Sequence, residues 1–129
     1  MSKSVAEKLG FKSGMRAVAH AVPADLKFEI PWPEPNEEPP DLLLIFVAHQ
    51  AAMTEAAELA ARLYARGQHL WIAYPKLSGK LKSDLSRDRG WEPIAAQDLH
   101  GVMQVSLSED WSALRFRYRD EIKEFTRKF

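Results

Sequence analysis

The chain has 129 residues, 46% of them apolar and 28% charged, with 18 basic side chains against 18 acidic ones. That length suits a single domain, 1–129, with its own core, and the composition excludes a disordered chain. Zero net charge excludes a global field that would recruit nucleic acid or an anionic membrane, and the absence of cysteine excludes disulfides, thiolate metal sites and cysteine nucleophiles.

The start, MSKSVAEKLG, has no apolar core of signal-peptide length and does not read as a secretory signal. The longest apolar run, 42–48, falls far short of the roughly 20 residues that span a bilayer. The expectation is a cytoplasmic protein with no membrane partner.

Ser4 and Glu7 predict a capped short helix over 5–9, and Gly10 and Gly14 bracket a turn. Residues 15–22 read as a buried strand ended by Pro23, and 27–32 as a weaker strand. The segment 31–40, PWPEPNEEPP, holds five prolines and reads as an extended crossover inside the domain. Residues 42–48 are apolar throughout, as in a central strand covered on both faces.

Over 50–66, Met53, Ala56, Ala60, Leu63 and Tyr64 share one helical stripe, Glu58 and Arg62 form an i,i+4 pair, and Gly67 suits the position that ends the helix. Residues 69–74 are the next strand, so 42–74 predicts a parallel strand–helix–strand unit. A helix is expected from about Ser83, interrupted near Gly90 and Pro93 and ended by Gly101. Two alternating runs, 102–107 and 114–119, predict a closing hairpin, and the tail, DEIKEFTRKF, reads as a short helix or a fraying end. The order predicts an α/β fold: a mixed sheet with a parallel core, an antiparallel C-terminal hairpin and helices on its faces.

The runs GQHLWIAYPK, LKSDLSRDRGW and VSLSEDWSALRFR, with KLGFKSGMRAVAHAVP near the start, resemble a bacterial family of short proteins of unassigned activity. More distantly, the layout is similar to the later half of a Rossmann-like methyltransferase, which implies a three-layer Rossmann-like arrangement. Such enzymes hold S-adenosylmethionine with a glycine-rich turn after the first strand. Here that strand runs into His20-Ala21-Val22-Pro23, without glycine, so a degenerate methyltransferase is the most that the likeness implies.

Three places carry candidate chemistry. In open α/β sheets ligands bind outside the carboxyl ends of parallel strands, where Lys76, Ser78, Lys80, Lys82, Arg87 and Arg89 leave strand 69–74. Two readings stand there: a site for a phosphate- or carboxylate-bearing ligand, or a solvated loop neutralised in part by Asp84 and Asp88. No phosphate-loop motif is present. His49, Gln50 and Tyr74 converge on the same crevice if the strands are parallel, unless His49 only caps a helix or is partly buried. His20 ends the first strand, whereas His69 and His100 are expected at the opposite edge, which argues against a metal site.

Arg115, Arg117 and Arg119, beside Trp111 and Ser112, form a ladder that suits nucleic acid or an acidic partner, or is the solvated face of an edge strand; zero net charge argues against nucleic acid. The expectation is a small anionic ligand bound by Lys76, Lys80, Arg87, Tyr74 and His49, with no catalytic set, metal or cofactor. The alternatives are a protein-interaction or structural module, including a homodimer, and the degenerate methyltransferase.

Overall fold

The structure, a computed structural model, describes residues 5–23, 32–65, 67–76 and 90–121. Five strands form one mixed sheet: β1 (Ala17–His20), β2 (Leu42–Phe46), β3 (His69–Pro75), β4 (Leu99–Ser106) and β5 (Trp111–Tyr118), in the order β1-β2-β3-β5-β4. The first three strands are parallel, β5 runs antiparallel to β3, and β4 antiparallel to β5. Two reversals make β4 point the same way as β1 to β3, so four strands end at one edge, the carboxyl edge.

The continuous apolar runs of β2 and β3 follow from cover on both faces. On face A, Leu43, Ile45, Leu70, Ile72, Leu114 and Phe116 pack under the stripe of helix α2 (Met53–Leu63) and under Ile94 of α3 (Glu92–Ala95). On face B, Leu42, Leu44, Phe46, Trp71 and Trp111 form a second cluster, closed by Leu9 and flanked by Phe11, Met15 and Trp32. That cover comes from the segment after helix α1 (Val5–Lys8), with Trp32 of the crossover beside it. Ala73 and Ala113 leave room on face B for Phe46 and Trp111 to meet edge to face across β3, with ring centroids 5.2 Å apart. Trp71 is fully buried, and its indole N–H donates to the Leu9 carbonyl at 2.8 Å.

The proline-rich crossover lies along the outer side of β1. The Ala19 N–H donates to the Pro33 carbonyl at 2.9 Å, and the Arg16 guanidinium donates to the Glu38 carbonyl and to Asn36 Oδ1. Among the described residues no helix is long and apolar enough to cross a membrane.

Several elements differ from the sequence expectation, each for a local reason. The first strand covers only Ala17–His20, because Ala21 turns into the left-handed region at φ 60°. The second stops at Phe46, and a 3-10 turn, Gln50–Ala52, precedes α2. Helix α2 ends before Gly67; that glycine, at φ 89°, turns the chain into β3 and donates its N–H to Glu121. Gly101 lies within β4 beside a bulge, and Asp98, at φ 62°, makes the turn after α3. The strand that carries the arginines, β5, is flanked by β3 and β4 and is not an edge. The expected strand at 27–32, the helix from Ser83 and the tail fall wholly or largely outside the described residues.

Glu121 fastens the end of β5 to the end of α2. Its Oε1 accepts from the Tyr64 hydroxyl at 2.6 Å and the Tyr118 N–H at 2.8 Å, while Oε2 accepts from the Gly67 N–H at 2.8 Å. Burial alone would raise its pKa, but these bonds and the nearby Arg117 charge hold it below the usual carboxylate range.

Two stability measurements check these anchors. Trp71→Phe, which strands a buried Leu9 carbonyl, should cost about 2–3 kcal/mol in urea unfolding. Glu121→Gln should cost about 2 kcal/mol at neutral pH. A lowered folded pKa gives stability that is present above the unfolded value, about 4.3, and is lost as pH falls through the folded one. Acid titration of stability in Glu121→Gln should therefore lack that component.

Candidate functional site at the carboxyl edge

At the β1 end of this edge His20 lies between two carboxylates. Its Nδ1 is 2.8 Å from Glu34 Oε1, and its Nε2 is 3.0 Å from Glu55 Oε1, on the first turn of α2. Carboxylates only accept, so both bonds are satisfied together when both ring nitrogens carry protons. Burial pulls the imidazole pKa down; the hydrogen bonds and charges of Glu34 and then Glu55 outweigh it, and the net shift is upward. The two acids thus clamp His20, at the end of β1, to the crossover and to α2.

Glu34 also takes the Ala21 N–H through Oε2 at 3.1 Å, which holds the left-handed turn that ends β1. The two carboxylates lie off opposite ring nitrogens and share no coordination centre. Among the described residues no group of three metal-ligating side chains converges on an ion.

The other flank of the edge is cationic. The Lys76 ammonium donates to Ser106 Oγ at 2.6 Å, and the Lys8 ammonium donates to the Ser106 carbonyl at 2.9 Å. Two positive charges thus meet at the end of β4, and among the described residues neither is paired with a carboxylate. The Ser106 hydroxyl contacts the Ser108 carbonyl, and Ser108 Oγ accepts from the Asp110 and Trp111 N–H groups, which fixes the turn under the lysines.

Of the sequence-expected residues, Lys76 is at this edge and half-buried. His49 is exposed at the start of the 3-10 turn and makes no side-chain capping bond. Tyr74 is 3% exposed on face A, edge to face with Trp91, with its hydroxyl accepting from Gln104 at 2.9 Å. It is a core residue and does not line an open crevice. Lys80 and Arg87, with Ser78, Lys82 and Arg89, lie outside the described residues. Ser112 is buried in the sheet. Lys8, Ser106, Glu34 and Glu55 escaped the sequence reading; Lys8 and Ser106 are 98 residues apart, and no local pattern links them.

The His20 clamp has a defined pH signature. A raised folded pKa gives stability that is full below the unfolded value, about 6.5, and is lost as pH rises through the folded one. The melting temperature of the native chain minus that of His20→Gln should shrink between pH 6 and pH 9. An imidazole titrating below 6.5 by NMR would contradict the clamp. Comparison with protein-family models, with curated proteins and with solved structures found no match.

Proposed function

We propose that this chain binds a small anionic ligand at the carboxyl edge, around Ser106, through the ammonium groups of Lys8 and Lys76. The observation that carries the proposal is their convergence on one serine without a carboxylate partner among the described residues. Lysines act as point charges for phosphate or carboxylate. In sequence the segment after Lys76 adds Lys80, Lys82, Arg87 and Arg89 against Asp84 and Asp88. His49, exposed at the end of the neighbouring strand, is the remaining polar side chain proposed to orient the ligand.

The strand order, with three parallel strands followed by an inserted antiparallel one, supports a Rossmann-like ancestry for this layout. The family resemblance in the AYPK, SDLSRD and WSALRFR segments belongs to the same proposal. Catalysis is not part of it. An interaction module is the second reading, favoured by one feature: Met103, 45% exposed on edge strand β4.

Thermal-shift titration of the full chain with phosphate, pyrophosphate, citrate, nucleotides and S-adenosylmethionine tests the proposal. A ligand at 100 times its Kd should add about 2.7 kcal/mol of stability. Lys76→Met should weaken an anion that binds by about tenfold, or about 1.4 kcal/mol. No stabilisation by any anion, together with a concentration-dependent dimer in light scattering, would favour the interaction module.

A further inference from the structure

We propose a second oxyanion site on face B, at the opposite end of the sheet, formed by His69, Arg115 and Arg117 with Lys12 at its rim. It shares no residue with the carboxyl-edge site and lies about 20 Å from it along β3. Its ligand would be a small molecule bearing phosphate or carboxylate.

The placement follows from register. Leu70 pairs with Phe116 and Trp71 with Arg115, so His69 at the start of β3 lies beside Arg117. Side chains alternate along strands, and His69, Trp71, Arg115 and Arg117 therefore share face B. Met103 and His100 of β4 stand opposite Arg115 and Arg117 on the same face. Gly10 passes close above: a Cβ built there would lie 2.9 Å from the His69 ring. At φ 86°, in that space, only glycine fits.

The charges are crowded and incompletely answered. Burial lowers the His69 pKa first, and the charges of Arg115, Arg117 and Lys12 lower it further. Burial and then Arg117 push Arg115 down, with partial relief from Tyr64 and Glu121. Arg115 Nε, Arg117 Nε and His69 Nδ1 are buried and meet no acceptor. Glu121 Oε2 is 3.9 Å from Arg117 Nη2, but that carboxylate already accepts three hydrogen bonds. Among the described residues, Asp98 is 3.3 Å from His100 Nε2 with its side chain 65% exposed, and Asp41, whose carbonyl accepts from the His69 N–H, takes the Arg16 N–H on its Oδ2. Among the described residues Arg115 has no carboxylate partner.

A partly desolvated guanidinium without a counter-charge, as at Arg115, costs stability, and a strand flanked on both sides would be better served by β-branched residues. Guanidinium forks suit phosphate and carboxylate, and an arriving oxyanion would offset the repulsion that the fold sustains here.

The test uses the full chain at constant ionic strength, titrated with inorganic phosphate and, separately, with citrate, against sodium chloride. NMR of the arginine Nε–H groups and of the His69 ring reads the site directly. Expected are saturable shifts at Arg115 and Arg117 and a rise of about one unit in the His69 pKa, a tenfold change in proton affinity. Response to phosphate alone identifies a phosphate ligand, and to citrate alone a carboxylate one.

Arg115→Gln should bind at least tenfold more weakly, keep or raise its melting temperature without anion, and lose the gain that anion gives. Arg115→Lys, which keeps the charge and loses the fork, should bind at an intermediate level. Shifts equal to those in sodium chloride would overturn the site. So would an Arg115→Gln protein that melts lower yet binds unchanged, since that is the behaviour of a purely structural arginine.

Discussion

The hydrogen bond from the Trp71 indole to the Leu9 carbonyl organises both ends of face B. A buried indole N–H needs an acceptor, and a buried carbonyl needs a donor; here one contact, 62 residues apart in sequence, satisfies both. It fixes the N-terminal segment across the sheet at a single register. Lys8, one residue before, then reaches Ser106 at the carboxyl edge, and Gly10, one residue after, closes over His69 at the other. The cover of this face has little regular structure of its own, so this bond, with the packing of Leu9, determines where its charges fall.

The carboxyl edge is electrically divided. At β1 an imidazole is held between two acids; at β3 and β4 two ammonium groups meet on a serine. The acidic flank closes on itself, because Glu34 and Glu55 spend their charge on His20 and on the Ala21 turn. Among the described residues the basic flank answers to neutral oxygens.

The apolar runs of β2 and β3, the stripe of α2 and the alternation of the hairpin were legible in the sequence because each repeats with the period of its element. Strand ends were less so. Residues Val22 and Ala48 extend apolar runs that the backbone has already left, since the turn at Ala21 is held by Glu34 from a distant segment. The arginines of β5 looked like a solvated face because alternation shows only that one face differs from the other. It does not show which strand of a hairpin docks inward; β5 did, and Arg115 and Arg117 became half-buried. The burial of Tyr74 was not legible for a related reason. In a strand covered on both faces, every side chain is apolar enough to be core, and position near the edge says nothing of exposure. The contacts that build the carboxyl edge join residues 14, 35, 30 and 98 apart, beyond any local signal.

The proline-rich crossover has a consequence for self-association. Its Pro33 carbonyl occupies a donor on the outer side of β1, and a proline run offers few N–H groups to a further strand. Among the described residues that flank of the sheet is met by a proline-rich segment, a poor template for a further strand. Strand-by-strand growth needs two free flanks, so pairing through β4 would end at two copies and could not propagate into a fibre.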